Sequence, residues 1–489
     1  MIAAFEKNKG LKKSQEQRFE ETSKEPKFWK YIVRPRTREI IISVVYFDLK
    51  KWLHEQGYWR YIYARDKWII ISIKNNIVTE VYGKDLKKAV MDYILDYDYS
   101  GTPINGNMVF EEFAGKESKI FSDGIFEIMD EKEVNWNRDT EFSAYYYFKN
   151  KCVIVTKDNY KLINYSELPG MLWDTQVIQR DISIIEDYEK NDFCKFIKNV
   201  CGSKEDNINA FGTTFGYMLH GYKDCSYLPA VILTDEIVSD DPNGGSGKGI
   251  IIKAISNFKK VVEIDGKNFD FARSFAFQRV NLDTQIIAFQ DVQSKFDFEK
   301  LFSIISEGIS VEKKNKDEFS IPFSESPKIM LTTNYVIKGT GSSHERRKIE
   351  LELCNYYHAG FSPKDDFGRR LFDGWSDDDW NRFYNYMFDC VRAYLQFGVI
   401  AASVGNLPYK KAISGTSKDF IEWSEENIEV DNEYNKKYLF DDFINKYQDF
   451  SKLKQRSFSV WLERYGIYKG WVVTTRKSGP DRFINFSKQ

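Results

Sequence analysis

Residues 242–249 of this chain read Pro-Asn-Gly-Gly-Ser-Gly-Lys-Gly. They fall between an apolar run, Ala230 to Leu233, and a second apolar set at helical spacing, Ile250, Ile251, Ile252, Ala254 and Ile255. Glycines let successive backbone N–H groups turn toward one anion, a helix N-terminus adds partial positive charge, and a lysine at the mouth of the turn supplies a mobile cation. That combination is the chemistry of a nucleotide phosphate cradle. It makes Asn243, Gly244, Gly245, Ser246, Gly247, Lys248, Gly249 and Ile250 the expected nucleotide-binding residues. Two positions depart from the pattern G-x-x-x-x-G-K-[ST]: Pro242 stands for the first glycine, and Gly249 for the hydroxyl residue that reaches magnesium. A plain glycine-rich surface turn is the alternative, and the flanking strand, lysine and helix all count against it.

A cradle alone does not distinguish a kinase, a transporter ATPase or a helicase, so the decision rests on the elements downstream of it in the chain. Ile286 to Phe289 reads as a buried strand that ends at Gln290-Asp291, where a nucleotide hydrolase places a carboxylate beside Mg²⁺ and the attacking water. Asp291 is therefore the candidate for polarising water and for holding the metal. A second strand, Lys328 to Thr333, ends at Asn334, whose amide can orient that water or sense the γ-phosphate. Next comes Glu345-Arg346-Arg347-Lys348, where Arg346 or Arg347 can offer a guanidinium to a neighbouring subunit's nucleotide. Between the two strands Val311 to Asp317 reads as a hairpin tip carrying Lys313, Lys314 and Lys316, suited to phosphate backbone without base reading.

These elements need a scaffold, and the chain is long enough for several units. It has 489 residues, with 71 Lys and Arg against 73 Asp and Glu for a net charge of -2, so nucleic-acid contact must come from local patches rather than a global field. The six cysteines form no C-x-x-C pair and the four histidines show no ligand spacing, which argues against structural zinc. With no signal peptide and no membrane-length apolar run, the expected location is cytoplasmic, with no membrane partner. The expected organisation is a polar, partly disordered tail at 1–35, an α+β domain at 36–184, a helical collar at 185–222, a nucleotide-binding core with a helical extension at 223–415, and a C-terminal module at 416–489. Asp96-Tyr97-Asp98 reads as the solvated end of an amphipathic helix rather than a primase metal pair. Ser376 caps a predicted helix with Trp380, Phe383, Met387 and Val391 on one face, stopping at Gly398. The last module reads helix, helix, β-hairpin, the order of a winged helix, with Lys454, Arg456, Lys469, Arg476 and Lys477 as expected DNA contacts; a solvated basic face is the alternative.

The ordered set Gly244 to Lys248, Ile264 to Phe269, Phe289 to Asp291, Lys313 to Lys316, Thr333-Asn334 and Arg346-Arg347 resembles the superfamily 3 helicases of the AAA+ class, in their phage, plasmid and poxvirus-like primase-helicase branch. The resemblance implies an α/β P-loop core of AAA+ type. It also implies a homo-oligomer, a hexameric ring that uses ATP and Mg²⁺ to move on single-stranded and forked DNA, with a separate primase or polymerase as cooperating partner. Lys248 would bind phosphate, Asp291 assist catalysis, Asn334 act as sensor, Arg346 or Arg347 as the finger in trans, and one of Lys313, Lys314 and Lys316 as the channel lysine. Family members carry Ser or Thr where Gly249 stands and an acid where Gln290 stands, so slowed hydrolysis is expected. A replication-initiation scaffold that binds ATP to assemble is the competing reading, and a small-molecule kinase a third.

Overall fold

The computed structural model describes residues 27–64, 67–236, 245–314, 316–337, 341–403 and 405–488. The chain divides into two compact units, Met1–Asn135 and Trp136–Gln489. Most of the expected polar tail, residues 1–26, lies outside the described residues.

In the first unit Trp29–Val33 pairs antiparallel with Ile40–Val44, and Tyr58–Ala64, Lys67–Lys74 and Ile77–Val81 form an antiparallel meander. The helix Gly83–Asp96 buries Leu86, Val90 and Ile94, one residue per turn, against Phe28, Trp52 and Phe113. The Asp96-Tyr97-Asp98 stretch sits where the sequence places it, at this helix's end: Tyr97 is its C-cap, and Asp98 Oδ1 accepts the Ser100 N–H at 2.9 Å.

The second unit is built on a five-stranded, wholly parallel sheet. Its strands are β1 (Ala230–Asp235), β2 (Val261–Asp265), β3 (Ile286–Val292), β6 (Lys328–Thr333) and β7 (Lys348–Leu353), with the hairpin β4 (Gly308–Lys313) and β5 (Lys316–Pro322) inserted between β3 and β6. The spatial order is β2-β3-β6-β1-β7. β1, β3 and β6 are near-continuous apolar runs, as strands covered on both faces require. Helices α1 (Asp192–Val200), α2 (Glu205–Leu219), α3 (Lys248–Ser256) and α4 (Asp377–Phe397) share the core with this sheet. α4 starts in a capping box between Ser376 and Asp379 and stops at Gly398, whose φ is +69°. α2 and α4 approach so closely that a Cβ at Gly216 would lie 2.3 Å from the Cys390 carbonyl oxygen, so only glycine fits there.

Packing groups the elements differently from the expected divisions. The α+β domain does not extend to residue 184: strands Ser143–Phe148 and Cys152–Thr156 put Tyr146, Phe148 and Val153 into one core with Phe193, Phe211 and Phe388, so the division falls after Asn135. α1 and α2, expected as a separate collar, belong to that same core. At the other end α5 (Leu407–Ser414) joins the C-terminal cluster through Ala412, ahead of the expected start at 416. That cluster gathers α6 (Lys418–Asn427), β8 (Asn432–Asn435), α7 (Lys436–Lys446), α8 (Gln455–Tyr468), β9 (Val472–Ser478) and β10 (Asp481–Ser487) around Phe420, Trp423, Phe443 and Phe458, with an antiparallel sheet ordered β8-β10-β9. No helix among the described residues is long and apolar enough to cross a membrane.

Candidate nucleotide-binding site

The parallel register sets the site. β1 pairs with β6 through Thr234 and Thr333, so the next residue of each strand, Asp235 and Asn334, emerge side by side at the C-terminal edge of the sheet, where open α/β sheets bind ligands. α3 begins at Lys248 directly after the glycine turn. Gly247 has a φ of +103°, and a Cβ there would come within 2.6 Å of the Phe196 ring, so both the turn and its packing demand glycine.

Lys248 is the hub. Its Nζ lies 2.5 Å from Asp235 Oδ2, donates to Asn334 Oδ1 at 2.7 Å, and stands 3.5 Å from Ser246 Oγ. The Lys248 and Asp235 side chains are 9% and 17% exposed, so the pair is shielded from water. The structure therefore brings together Ser246, Gly247, Lys248 and Asn334 from the expected set, with Gly245 at a φ of +116° beside them. Gly249 and Ile250 form the first turn of α3, and open space surrounds the position a Gly249 Cβ would take. Asn243 and Gly244 lie outside the described residues.

Asp291 is placed differently from the others. It sits at an irregularity in the β3–β6 pairing with a φ of +53°, a left-handed conformation rare for a residue with a Cβ, and its N–H donates to Thr332 Oγ1 at 2.8 Å. Its half-exposed carboxylate meets Lys267 at 3.9 Å rather than Lys248. The neighbouring Gln290 directs its side-chain amide to Glu263 on β2. Among the described residues no group of three or more His, Cys, Asp or Glu is gathered for a metal.

Sequence reasoning missed Asp235 and Lys410. Asp235 carries a signal in the sequence, a carboxylate ending an apolar strand just ahead of the cradle. Lys410 of α5 carries none: its buried Nζ donates to the Asp235 carbonyl, across 175 residues of chain, and pairs with Glu352 Oε1 at 2.5 Å.

Arg346 and Arg347 stand before β7, whose first residue is level with Ala230 at the start of β1. A six-residue strand spans about 20 Å, so within one chain neither arginine reaches Lys248. Arg346 is exposed. Arg347 lies over the Phe302 ring at 4.6 Å and donates to Ser343 Oγ at 2.9 Å; partial burial, then Arg346, lower its pKa.

The basic residues split in the same way. Lys313 bonds Asn281 and lies 5.4 Å from the Phe319 ring centroid, while Lys314 is exposed. Lys316 opens β5, paired with Lys313. In the C-terminal cluster Lys454 and Arg456 are exposed at the start of α8 and Lys477 on β9. Arg476 is clamped by Glu433, which raises its pKa, and Lys469 lies 3.6 Å from Glu425.

Residues 242–347 match a family of unknown function, DUF5906. No curated protein matches the chain. Among solved structures, the apo A form of the NrS-1 C-terminal region is similar at 14% identity and a TM-score of 0.41, covering 90% of this chain and 99% of that one. A second apo A form of that region, residues 305–718, gives 14% and 0.39 with 90% and 98% covered. JCV helicase, in a crystal structure with a thiazolopyridine acetamide compound, is similar at 13% and 0.26 over 44% of this chain and 54% of that one. At these scores the likeness carries no argument about activity.

Proposed function

We propose that this chain is an ATP-driven DNA helicase serving replication of a phage, plasmid or other mobile element, assembled as a ring with an AAA+ core and a C-terminal winged helix. The observation that carries this reading is the convergence of Lys248 and Asn334 at the C-terminal edge of a parallel sheet, immediately after a glycine turn with positive φ. The residues present fit the phosphates of a nucleotide: α3 directs its first N–H groups to the turn, and Lys248 can exchange Asp235 for a phosphate oxygen. Asn334 would then orient the attacking water. Asp291 would supply a carboxylate for a magnesium ion, whose charge would offset that of the outer phosphates when ATP is bound. Arg346, exposed at the far edge of the sheet, is available to a neighbouring subunit rather than to its own site. The exposed Lys314, Lys454, Arg456 and Lys477 are the candidates for DNA phosphate contact.

The test is steady-state ATP turnover with and without single-stranded DNA, for the unaltered chain, Lys248→Ala, and Lys248→Ala combined with Asp235→Asn. The motor reading expects DNA-stimulated turnover that both variants lose. A second reading, a replication-initiation scaffold that binds ATP only to assemble, is favoured by the missing hydroxyl at Gly249 and by the engagement of Gln290 with Glu263. ATP binding without turnover would establish it.

A further inference from the structure

The opposite edge of the sheet carries a cavity of about 380 Å³. Lys328 opens β6, Gln285 directly precedes β3 and Lys259 lies just ahead of β2, so the cavity gathers at the N-terminal ends of the strands, a strand's length from Lys248. Its volume lies in the range of small-ligand pockets.

The charges around it do not balance. Arg138 pairs with Glu325 at 2.5 Å and Asp283 with Lys260 at 2.6 Å. Three lysines remain, Lys223, Lys259 and Lys328, beside the single carboxylate of Asp139. Asp139 lies 3.7 Å from Lys259 and is already bonded, its two oxygens accepting the Tyr145 and Gly221 N–H groups at 2.8 and 2.5 Å. Lys328 donates to the Tyr217 and His220 carbonyls at 2.6 Å each, and Lys223 to Ser326 Oγ at 2.6 Å; among the described residues neither meets a carboxylate. Aromatic faces compensate in part, with Lys328 Nζ 3.9 Å from the Tyr217 ring centroid and Lys223 Nζ 4.8 Å from that of Phe323. His220 adds no counter-charge: its Nε2 donates to the Thr140 carbonyl at 2.7 Å, and burial holds the ring toward its neutral form. Burial likewise pushes the Lys223 pKa down to about 8 and that of Lys328 well below its ordinary value. Holding these lysines as ammonium groups in excess of anions is costly, and an anion that joins them favours the charged form.

We propose that this cavity is a second anion site that takes a phosphate group, distinct from the cradle at Lys248. The chemistry is shared by inorganic phosphate, a nucleotide and the backbone of a single strand. The wall segment Leu282 to Gln285 comes directly after Asn281, which holds Lys313 of the β4–β5 hairpin, so an occupant sits one residue away from the hairpin's anchor.

The experiment is titration calorimetry on the full chain with inorganic phosphate, a deoxynucleoside monophosphate and a short single-stranded oligonucleotide. Each is repeated on Lys248→Ala, which removes the cradle's cation, and on Lys248→Ala carrying either Lys223→Gln or Lys259→Gln. With the cradle's cation removed, loss of one cavity donor is expected to weaken the remaining phosphate binding about tenfold or more when either Lys223→Gln or Lys259→Gln is added. Equal binding of phosphate and nucleotide supports recognition of the free group, whereas tighter binding of the oligonucleotide, competing with phosphate, supports the strand as source. Binding that is absent for all three probes in Lys248→Ala, or unaffected by both added cavity substitutions, overturns the proposal. Lys223 is half-buried and bonds a single hydroxyl, so its variant remains informative should Lys259→Gln fail to fold.

Discussion

Lys248→Ala would remove the cation of the proposed phosphate cradle, and the contacts of this lysine give it a second effect. Lys248 and Asp235 are in contact at 2.5 Å with little exposure, and Asn334 shares the same ammonium. Removing the lysine leaves a shielded carboxylate without its partner; Asp235 Oδ1 already has no hydrogen-bond partner among the described residues. Opposite charges 4 Å apart attract by about 4 kcal/mol at an effective dielectric near 20, and deleting one member of a buried pair costs about 3–5 kcal/mol because the other stays desolvated. A unit the size of Trp136–Gln489 has an unfolding entropy of roughly 0.7 kcal/mol/K, so Lys248→Ala should lower its melting temperature by about 4–7 °C. Adding Asp235→Asn removes the stranded charge and should recover most of that loss without restoring turnover. Asp235→Asn alone leaves Lys248 to phosphate without a competitor, and ATP should then raise the melting temperature more than it does in the unaltered chain. Thermal unfolding of the four proteins with and without ATP measures all of this. If Lys248→Ala melts with the unaltered protein, or the double variant melts no higher than Lys248→Ala, the pair does not stabilise the site and the reasoning fails.

Gly249→Ser with Gln290→Asp introduces a hydroxyl and an acid at the two positions where this chain departs from the pattern it resembles. The serine has open space to enter, and the aspartate faces Glu263, so magnesium-dependent ATP hydrolysis should rise while stability without magnesium falls. Hydrolysis no faster than in the unaltered chain sinks that expectation. Acid stability should depend on Asp379, which Arg369 grips through two bonds of 2.9 Å while the Ser376 N–H donates to it, holding its carboxyl down at about 2 from an ordinary 3.8. A depressed carboxyl stabilises the fold fully above its unfolded value and loses that contribution as pH falls toward 2. Given its partial exposure the contribution is about 1–2 kcal/mol, and Asp379→Asn should flatten the denaturation curve between about pH 4 and 2. An unchanged acid limb in urea titrations would count against it.

The parts of the fold that were legible are those where local pattern and burial coincide. β1, β3 and β6 read as continuous apolar runs because both faces are covered, and α4 announces itself through Ser376, its apolar stripe and Gly398. The strands at 143–156 were legible as strands but not as members of the second unit, since only the packing of Tyr146 and Phe148 on Phe388 assigns them to it. Pattern also names the cradle and Asn334, because a glycine turn and a strand end are local features. It cannot say that Asp291 leaves the regular pairing with a left-handed φ and a half-exposed carboxylate, which depends on how β3 meets β6.

Asp235 shows why the rest was hidden. Its side chain answers Lys248, thirteen residues on, and its carbonyl answers Lys410, far along the chain in α5. The residue that holds the cradle's cation is thus also bonded by the first helix of the C-terminal cluster, and Glu352 at the end of β7 completes the link with Lys410. A motif search reads forward from glycines to lysine and stops. The parallel register, which sets Asp235 level with Leu353 on one side and beside Asn334 on the other, makes one residue the meeting point of the glycine turn, the sheet edge and α5.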